Sequence, residues 1–343
     1  MPKSRTVSLV ALLLVLGLTA AACQGVEDAP DSGGSVGLDS DAMQLPSGFD
    51  VQGHRGARGL KPENTLPAFE TALDLGVSTL ELDLHFSADG EVVVSHDPVI
   101  DPRKCGLRSG APSDIPDPDD PATPNSALAV RSLTVEQLEW FRCDRNPDPS
   151  RFPDQDSAPT ALAADDFGII TLDELIAFVE RYAASESKTD TQRQGARVVT
   201  FNVETKRERD NPDTIDDGFD GKNVGPFEQR LLEVIEARTI GGRVVVQSFD
   251  RRSLEAIHRA DASIRLAMLT RSNDVDIKAY AEFGASIWSP KSITVDTERV
   301  AEAHAAGLKV VPWTVNSLEE IKALLDFGVD GVITDRPDLL LAR

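Results

Sequence analysis

The chain has 343 residues, of which 41% are hydrophobic and 27% are charged, a balance typical of globular proteins. This composition excludes a collagen-like protein, a coiled coil and a globally disordered chain. Asp and Glu number 57 against 35 Lys and Arg, which gives a formal net charge of −22. Because such a surface repels phosphate backbones, we expect no nucleic-acid partner. An anionic substrate would need a cation at its site, and a divalent metal ion is the obvious candidate.

The amino terminus has the pattern of an export signal peptide followed by a tether. Residues 1–22 begin with Lys3 and Arg5, continue with an apolar stretch too short to span a bilayer comfortably, and end in small residues. Cys23 follows directly and resembles the lipid-modified cysteine of bacterial lipoproteins. Residues 23–47 are rich in Gly, Ser, Asp and Pro, the composition of a flexible tether. We expect an exported lipoprotein, periplasmic or on the cell surface and anchored in the membrane through Cys23. The alternative is plain cleavage and release.

Residues 48–343 alternate strand-like with helix-like patterns. Near-continuous apolar runs occur at 50–54, 79–86, 197–206, 244–249, 265–270, 286–290, 309–316 and 330–335. Amphipathic segments occur at 65–76, 226–237, 251–260, 275–284, 297–307 and 317–328. Buried strands separated by amphipathic helices indicate a parallel sheet, and eight such units predict an α/β protein, a closed (β/α)8 TIM barrel. A doubly wound open sheet is the alternative, although no early strand is followed by GxGxxG.

A long irregular insertion of about residues 101–166 follows the second strand unit. It is acidic and rich in proline, and it is flanked by Cys105 and Cys143. An even number of cysteines in an oxidising compartment predicts a structural disulfide. By the chain-entropy relation, a cross-link that closes a loop of this length stabilises the fold by about 4 kcal/mol.

Most of the strand-like runs end in polar or aromatic residues. These residues are His54, Arg55, Glu81, Asp83, Glu204, Lys206, Gln247, Ser289, Lys291, Trp313, Asn316 and Asp335. In (β/α)8 barrels the carboxyl ends of the strands carry the active site. We therefore expect side chains that are distant in sequence to meet at one end of the barrel.

Glu81, Asp83 and Glu204 form a candidate metal site. Side chains two residues apart in a strand point to the same face, so Glu81 and Asp83 both face the barrel axis. Two such charges repel each other without a counterion, and Ca²⁺ and Mg²⁺ both bind carboxylate oxygens. Glu204 ends the next strand and can supply a third carboxylate, while Lys206 shares its face. The alternative is an ion pair without metal, either Glu81 with Lys206 or Asp83 with Arg55.

His54 and His96 are candidates for the general acid and base. His54 closes the first strand, and His96 follows a turn and a short strand that fold back after the strand at 79–86. Imidazole titrates near neutrality, so two histidines across a site can exchange protons with a substrate. Each histidine taken singly is more often structural. His258 and His304 lie in helical patterns, where surface or packing positions are expected.

The stretch from residue 54 to residue 98 is a succession of short motifs. It reads HRGARGLKPENT and then ELDLHFSADGEVVVSHDP, with His54–Arg55, the PENT motif, Glu81 with Asp83, Asp89–Gly90 and His96–Asp97 in that order. This succession strongly resembles the amino-terminal signature of the glycerophosphodiester phosphodiesterase family. Farther along, VETK, QSFD, PWTVN and DGVITDRP resemble later strands of the family. The resemblance covers residues 50–337 apart from the insertion.

The resemblance implies a TIM-barrel hydrolase that cleaves glycerophosphodiesters, a small-molecule substrate, to glycerol 3-phosphate and an alcohol with one divalent cation. In such enzymes the matching positions bind the metal (Glu81, Asp83 and Glu204), act as general acid and base (His54 and His96), hold phosphate charge (Arg55 and Lys206) or border the metal site (Glu63). We expect Trp313 to form a wall for the glycerol or alkyl portion, with a buried core position as the alternative. The choice between Ca²⁺ and Mg²⁺, the leaving alcohol and the oligomeric state stay open.

Two other functions fit many of the same residues. A phospholipase D-like or phosphoinositide-cleaving phosphodiesterase on the same barrel would act on lipid, near which a tether at Cys23 would hold the protein. A catalytically silent surface protein would bind glycerol phosphates or cell-wall polymers without cleaving them. The presence of both candidate histidines and all three carboxylates argues against a silent protein.

Overall fold

The architecture comes from a computed structural model, which describes residues 44–272 and 274–341. The expected signal peptide at 1–22, Cys23 and the tether up to residue 43 lie outside the described residues. Among the helices that are described, none is long and apolar enough to cross a membrane.

Eleven strands lie within the described ranges, and nine of them belong to one sheet. They are β1 (Asp50–Gly53), β2 (Thr79–Phe86), β3 (Val92–Val94), β4 (Gly106–Leu107), β5 (Phe141–Arg142), β6 (Thr200–Thr205), β7 (Val244–Ser248), β8 (Arg265–Thr270), β9 (Ile287–Pro290), β10 (Lys309–Val310) and β11 (Gly331–Thr334). Eight strands pair in parallel in the order β10-β9-β8-β7-β6-β2-β1-β11, and β3 folds back antiparallel onto β2. The two ends of the sheet meet where Ile333 N donates to Pro312 O (2.9 Å). The predicted (β/α)8 barrel is confirmed.

The helices cover the outside of the sheet and follow the strands in the expected alternation. They are α1 (Leu66–Leu75), α2 (Val135–Leu138), α3 (Leu172–Ala184), α4 (Asp190–Val198), α5 (Pro226–Ala237), α6 (Arg251–Ala260), α7 (Ile277–Glu282), α8 (Thr297–Ala305), α9 (Leu318–Phe327) and α10 (Asp338–Leu341). Helix α1 ends at Gly76, whose left-handed φ of 89° lets its N–H reach the last carbonyls of the helix. On β2, Leu80, Leu82 and Leu84 are fully buried, and burial of each leucine contributes about 2 kcal/mol.

Three local features differ from the sequence-based expectation. The strand-like run at 197–206 forms β6 only from Thr200, because Arg197 and Val198 belong to α4. Helix α3 lies in a stretch for which the strand and helix patterns predict no element, although Thr171 and Glu174 form a capping box there. The strand-like run at 309–316 keeps regular pairing only over β10, because Pro312 has no N–H to donate to a neighbouring strand.

The insertion packs against β3 of the barrel through a small shared hydrophobic core. The predicted disulfide between Cys105 and Cys143 is present, and β4 pairs with β5 directly beside it. This core contains Val93, Ile100, Cys105, Ile115, Leu128, Val130, Leu133, Leu138 and Phe141. At its far end the insertion is fastened to α1, where the buried Glu70 carboxylate accepts hydrogen bonds from Thr160 Oγ1 (2.5 Å) and Ala163 N (2.7 Å). The insertion is therefore irregular in secondary structure but anchored at both ends.

Removal of the disulfide is expected to destabilise the protein through the insertion. The double variant Cys105→Ala/Cys143→Ala should lose about 2–4 kcal/mol, because an open chain gains more conformational entropy on unfolding than a cross-linked one. Urea unfolding followed by circular dichroism measures this loss. Reduced wild-type protein serves as the control and should unfold at the same lowered midpoint. Equal midpoints for oxidised wild type and the variant would contradict the prediction.

Candidate active site

A cavity of about 480 Å³ opens at the carboxyl ends of the parallel strands. Every residue that the sequence predicts for the site lines this cavity except Asp83, which is fully buried. The lining residues of that set are His54, Arg55, Glu63, Glu81, His96, Glu204, Lys206 and Trp313. Side chains from β2, β6 and the segments that follow β1 and other strands therefore meet at one basin, as the strand-end pattern predicts.

Three carboxylates are brought together at the base of this cavity. Asp83 on β2 pairs in register with Glu204 on β6, and one oxygen of each of Glu81, Asp83 and Glu204 lies within 4.8 Å of the others. Burial, followed by the charges of Asp83 and Glu204, raises the pKa of Glu81 well above its usual value. Burial also raises the pKa of Glu204. The pKa of Asp83 is well below its usual value, because Arg55 and Lys206 together outweigh the effect of burial.

The donor set of this cluster fits a hard divalent cation. Both oxygens of Glu81 accept a hydrogen bond, one from Gln247 Nε2 (2.7 Å) and one from the backbone N–H of Arg55 (3.0 Å). The buried Asp83 Oδ1 accepts no hydrogen bond from the described residues, although Lys206 Nζ forms an ion pair with it at 3.3 Å. Ca²⁺ and Mg²⁺ take oxygen ligands and would satisfy that atom. Glu81, Asp83 and Glu204 could therefore hold such an ion.

Each candidate histidine is oriented by a carboxylate at its Nδ1 atom. His54 Nδ1 lies 2.6 Å from Asp335 Oδ1, and its Nε2 lies 3.9 Å from Glu81 Oε2. His96 Nδ1 lies 2.7 Å from Asp97 Oδ1, and its side chain is 32% exposed against 10% for His54. Burial, reinforced by the charge of Arg58, lowers the pKa of His54 to about 4. Both rings are thus held in one orientation with the Nε2 atom free for chemistry.

Two basic side chains lie against the carboxylate cluster. Arg55 has a left-handed backbone φ of 53°, its Nε lies 3.0 Å from Asp83 Oδ2, and its Nη1 donates to both oxygens of Glu63 (3.0 Å). Lys206 Nζ donates to Glu204 Oε1 (3.0 Å). The carboxylates raise the pKa of both bases, although burial opposes this. Both therefore stay charged at the cavity floor, where they can face a phosphate.

An aromatic wall bounds the cavity on another side. Trp313 is partly buried, its Nε1 donates to Ser289 O (3.0 Å), and its ring meets Phe249 edge-on with 5.5 Å between centroids. The Arg271 guanidinium lies 3.6 Å from the centre of the Phe249 ring. Trp313 thus lines the pocket, as expected, and packs only partly into the barrel.

Several residues support the site without having been assigned a role from the sequence. Asp335 at the end of β11 binds His54 and accepts from Arg58 Nε (2.8 Å), and Asn64 of the PENT motif donates to Asp83 Oδ2 (2.9 Å). The strand-end pattern already places Asp335 and Gln247 at this end of the barrel, but it does not show which side chains they bind. Nothing in the sequence pattern singles out Arg58, whose role depends on the fold of the loop after β1.

Glu63 lies beside the basic residues of the site. Its carboxylate binds Arg55, Arg58 and Lys104, and Arg55 separates it from the cluster of three acids. Arg55 contacts both Glu63 and Asp83, and the position of Glu63 beside a metal ion stays a prediction.

Fold and site together define a (β/α)8-barrel protein with an acidic cluster that could hold a metal ion, two histidines and two basic side chains at the carboxyl ends of the strands. The model of the glycerophosphoryl diester phosphodiesterase family matches residues 54–339. The chain belongs to this family and is an enzyme of the phosphodiesterase class.

Individual relatives agree with this assignment. A glycerophosphodiester phosphodiesterase of Bacillus altitudinis is 30% identical over 291 residues, which cover 83% of this chain and 94% of the relative. A crystal structure of a Silicibacter pomeroyi protein of the glycerophosphoryl diester phosphodiesterase type has a TM-score of 0.66 at 27% identity, with 85% of this chain and 91% of that chain covered. An Oleispira antarctica phosphodiesterase in complex with its product sn-glycerol-3-phosphate has a TM-score of 0.61 at 18% identity, covering 86% of this chain and 96% of that chain. This last likeness concerns the fold alone.

The carboxylate cluster predicts a pH-dependent stabilisation by metal. The raised pKa of Glu81 means that the folded state without metal retains a proton that the unfolded chain releases above pH 4.5. The contribution of Glu81 to the stability of the metal-free protein should therefore fall as the pH rises above that value. A bound divalent cation favours the ionised carboxylates, so the gain in Tm on adding Ca²⁺ or Mg²⁺ should be larger at pH 8 than at pH 5.

Differential scanning fluorimetry with a chelator, and then with each cation in excess, measures this gain at both pH values. Glu81→Gln is the matched control, because its amide does not titrate and the pH dependence of the gain should shrink. A gain in Tm that is equal at pH 5 and pH 8 in the wild type would contradict the assignment of the cluster.

Proposed function

We propose that this protein hydrolyses glycerophosphodiesters to glycerol 3-phosphate and an alcohol, with one divalent cation held by Glu81, Asp83 and Glu204. The observation that carries the proposal is the convergence of these three carboxylates with two carboxylate-oriented histidines in one cavity. Family membership supports the proposed reaction and favours it over the phospholipase D-like or phosphoinositide-cleaving alternative. The Oleispira antarctica phosphodiesterase, which shares the fold, holds its product sn-glycerol-3-phosphate, and we propose the same product here.

The site can balance the negative charge of a phosphodiester as it reacts. Charge develops on the phosphoryl oxygens when a nucleophile attacks the phosphorus atom. Arg55 and Lys206 lie against the carboxylate cluster and can donate hydrogen bonds to these oxygens. A divalent cation bound by the cluster would add Lewis-acid polarisation of a phosphoryl oxygen.

His54 and His96 would carry the proton transfers. The attacking oxygen, from water or from the glycerol hydroxyl of the substrate, loses its proton as it bonds to phosphorus, and the departing alkoxide gains one as its bond to phosphorus breaks. If the glycerol hydroxyl attacks, a cyclic phosphodiester forms, and water must then break one of its ring P–O bonds to give glycerol 3-phosphate. The lowered pKa of His54 leaves its imidazole neutral at pH 7, so its Nε2 can accept a proton while Asp335 stabilises the resulting cation. His96 would then supply the proton to the leaving group from the more exposed side.

The proposal includes the place of action. The sequence pattern of residues 1–47 supports export and attachment to a membrane through a lipidated Cys23, which would hold the site in the periplasm or at the cell surface. Metabolic labelling with a fatty acid, compared between wild type and Cys23→Ser, tests the attachment.

A product-release assay tests the reaction itself. Purified enzyme is incubated with glycerophosphodiesters that carry different head groups, and glycerol 3-phosphate is measured with a coupled dehydrogenase. We expect release from the deacylated diesters, loss of release with chelator and recovery with Ca²⁺ or Mg²⁺. Intact phospholipid with the same head group should release none of it. Activity confined to intact phospholipid, or unaffected by chelator, would overturn the proposal.

Substitutions at the site should separate acid–base chemistry from metal binding. His54→Ala and His96→Ala are each expected to lower kcat by about 10²–10⁴-fold, because general acid–base catalysis contributes that factor. Metal binding, measured by calorimetry, should persist in both variants. Glu81→Ala should lose metal binding and activity together.

His304→Ala is the matched control for the histidine variants. His304 also pairs with an aspartate, since its Nε2 lies 2.8 Å from Asp330 Oδ2, but it does not line the cavity. The kcat of the His304→Ala variant should equal that of the wild type. Full turnover in His54→Ala or in His96→Ala would refute the acid–base assignment.

A further inference from the structure

The insertion places one ammonium group inside the active site. Lys104 Nζ lies 2.7 Å from Glu63 Oε1 and 2.5 Å from Asp97 Oδ2, so a single side chain joins the PENT motif to the carboxylate that orients His96. The Lys104 side chain is only 19% exposed and lines the same cavity as both histidines. The pattern of the sequence gives no sign of this link, because Lys104 belongs to the irregular segment.

Two carboxylates surround the Lys104 ammonium group, and its positive charge offsets their repulsion. Glu63, His96 and Asp97 form a second acidic group whose ligand atoms lie within 4.8 Å of one another. Lys104 Nζ contacts both of its carboxylates directly. The ammonium therefore takes the place that a cation would have among these atoms. Without it, Asp97 would keep only the imidazole of His96 as a side-chain partner among the described residues.

The backbone of Lys104 is fixed on both sides. Lys104 N donates to Asp101 O (2.9 Å), and Lys104 O accepts from Arg145 N (3.1 Å). The next residue is Cys105, which forms the disulfide with Cys143. An otherwise flexible side chain thus starts from a rigid anchor, which lowers the conformational entropy lost when it binds two carboxylates.

We infer that Lys104 is a positioning residue, through which the insertion holds Asp97 on His96 and Glu63 on Arg55 in the geometry needed for phosphodiester cleavage. This inference rests on the proposed function, because it assigns Lys104 a role only through His96 and Arg55. Glu63 retains Arg55 and Arg58 as partners in the absence of Lys104, whereas Asp97 loses its second one. Loss of Lys104 should therefore affect proton transfer by His96 more than binding of the phosphate.

Lys61 provides a matched comparison for a purely structural role. It also joins the barrel to the insertion, where Lys61 Nζ donates to Asp156 Oδ1 (2.5 Å) and to Ala158 O (2.9 Å). Its side chain is 12% exposed, similar to that of Lys104, yet it does not line the cavity. A lysine that only fastens the insertion would behave like Lys61.

The test compares Lys104→Met, Lys104→Gln, Lys104→Arg and Lys61→Met in the metal-loaded enzyme. We expect Lys104→Met and Lys104→Gln to lower kcat about 10- to 100-fold, the usual effect of removing a group that orients a reactive residue, with KM changed less than about threefold. Lys104→Arg can still bind both carboxylates and should recover at least about a third of wild-type kcat. Lys61→Met should keep wild-type kcat whatever its Tm.

A double-mutant cycle tests whether Lys104 affects kcat through Asp97. If Lys104 acts through Asp97, then Asp97→Asn and Lys104→Met together should lower kcat no more than about threefold beyond the stronger single variant. Multiplicative effects of the two substitutions would overturn the path through Asp97. Wild-type kcat in folded Lys104→Gln, or equal losses of kcat and Tm in Lys104→Met and Lys61→Met, would overturn the inference itself.

His96→Ala distinguishes failure of this inference from failure of the proposed function. If His96→Ala loses turnover while the Lys104 variants keep it, the insertion does not position the site and the proposed reaction stands. If His96→Ala keeps turnover, the acid–base assignment fails, and Lys104 cannot act through it.

Discussion

The burial of three carboxylates side by side is the constraint on which the rest of the site depends. Pairing of β2 with β6 sets Asp83 opposite Glu204, and the side-chain period of a strand adds Glu81 to the same face. One oxygen of each of the three carboxylates lies within 4.8 Å of the others. At an effective dielectric constant of about 20, two unit charges at that distance repel each other by about 3.5 kcal/mol. Arg55 and Lys206 offset part of this repulsion. The basic side chains that contact the cluster therefore stabilise the fold as well as shape the site.

Sequence reasoning succeeds where position in a strand decides the geometry. The spacing of Glu81 and Asp83 fixes their common face, and eight apolar runs suffice for a barrel whose rim collects strand-end residues. It fails where contacts depend on loops. His54 meets Asp335 across 281 residues of sequence, and Lys104 reaches Glu63 from an irregular segment. No periodic pattern encodes the path of such a segment, so these partners become visible only in the folded chain.

The elements that were missed have equally local causes. The capping box at Thr171 marks the start of α3 in the sequence. The helix belongs to the connection between the insertion and β6, however, where the regular alternation of strands and helices is interrupted. Helix α4 is mostly polar and contributes only Ala196 to the buried core, so hydrophobic periodicity cannot reveal it. The short β10 reflects Pro312, a residue that ends regular pairing even though its neighbours are apolar.

An aspartate at Nδ1 orients each of the two histidines. The barrel holds the aspartate of His54, whereas the insertion holds the aspartate of His96. The carboxylate on His54 is Asp335, which β11 and Arg58 hold in the buried part of the barrel. The carboxylate on His96 is Asp97, which depends on Lys104 and so on the disulfide-fixed start of the insertion. Substitutions in the insertion should therefore affect the orientation of His96 before that of His54. Glu81, Asp83 and Glu204 should keep their own partners. In the proposed mechanism the barrel therefore supplies the side chains that hold the phosphate, and the insertion supplies the lysine that holds Asp97 on His96, the histidine on the side from which the alcohol departs.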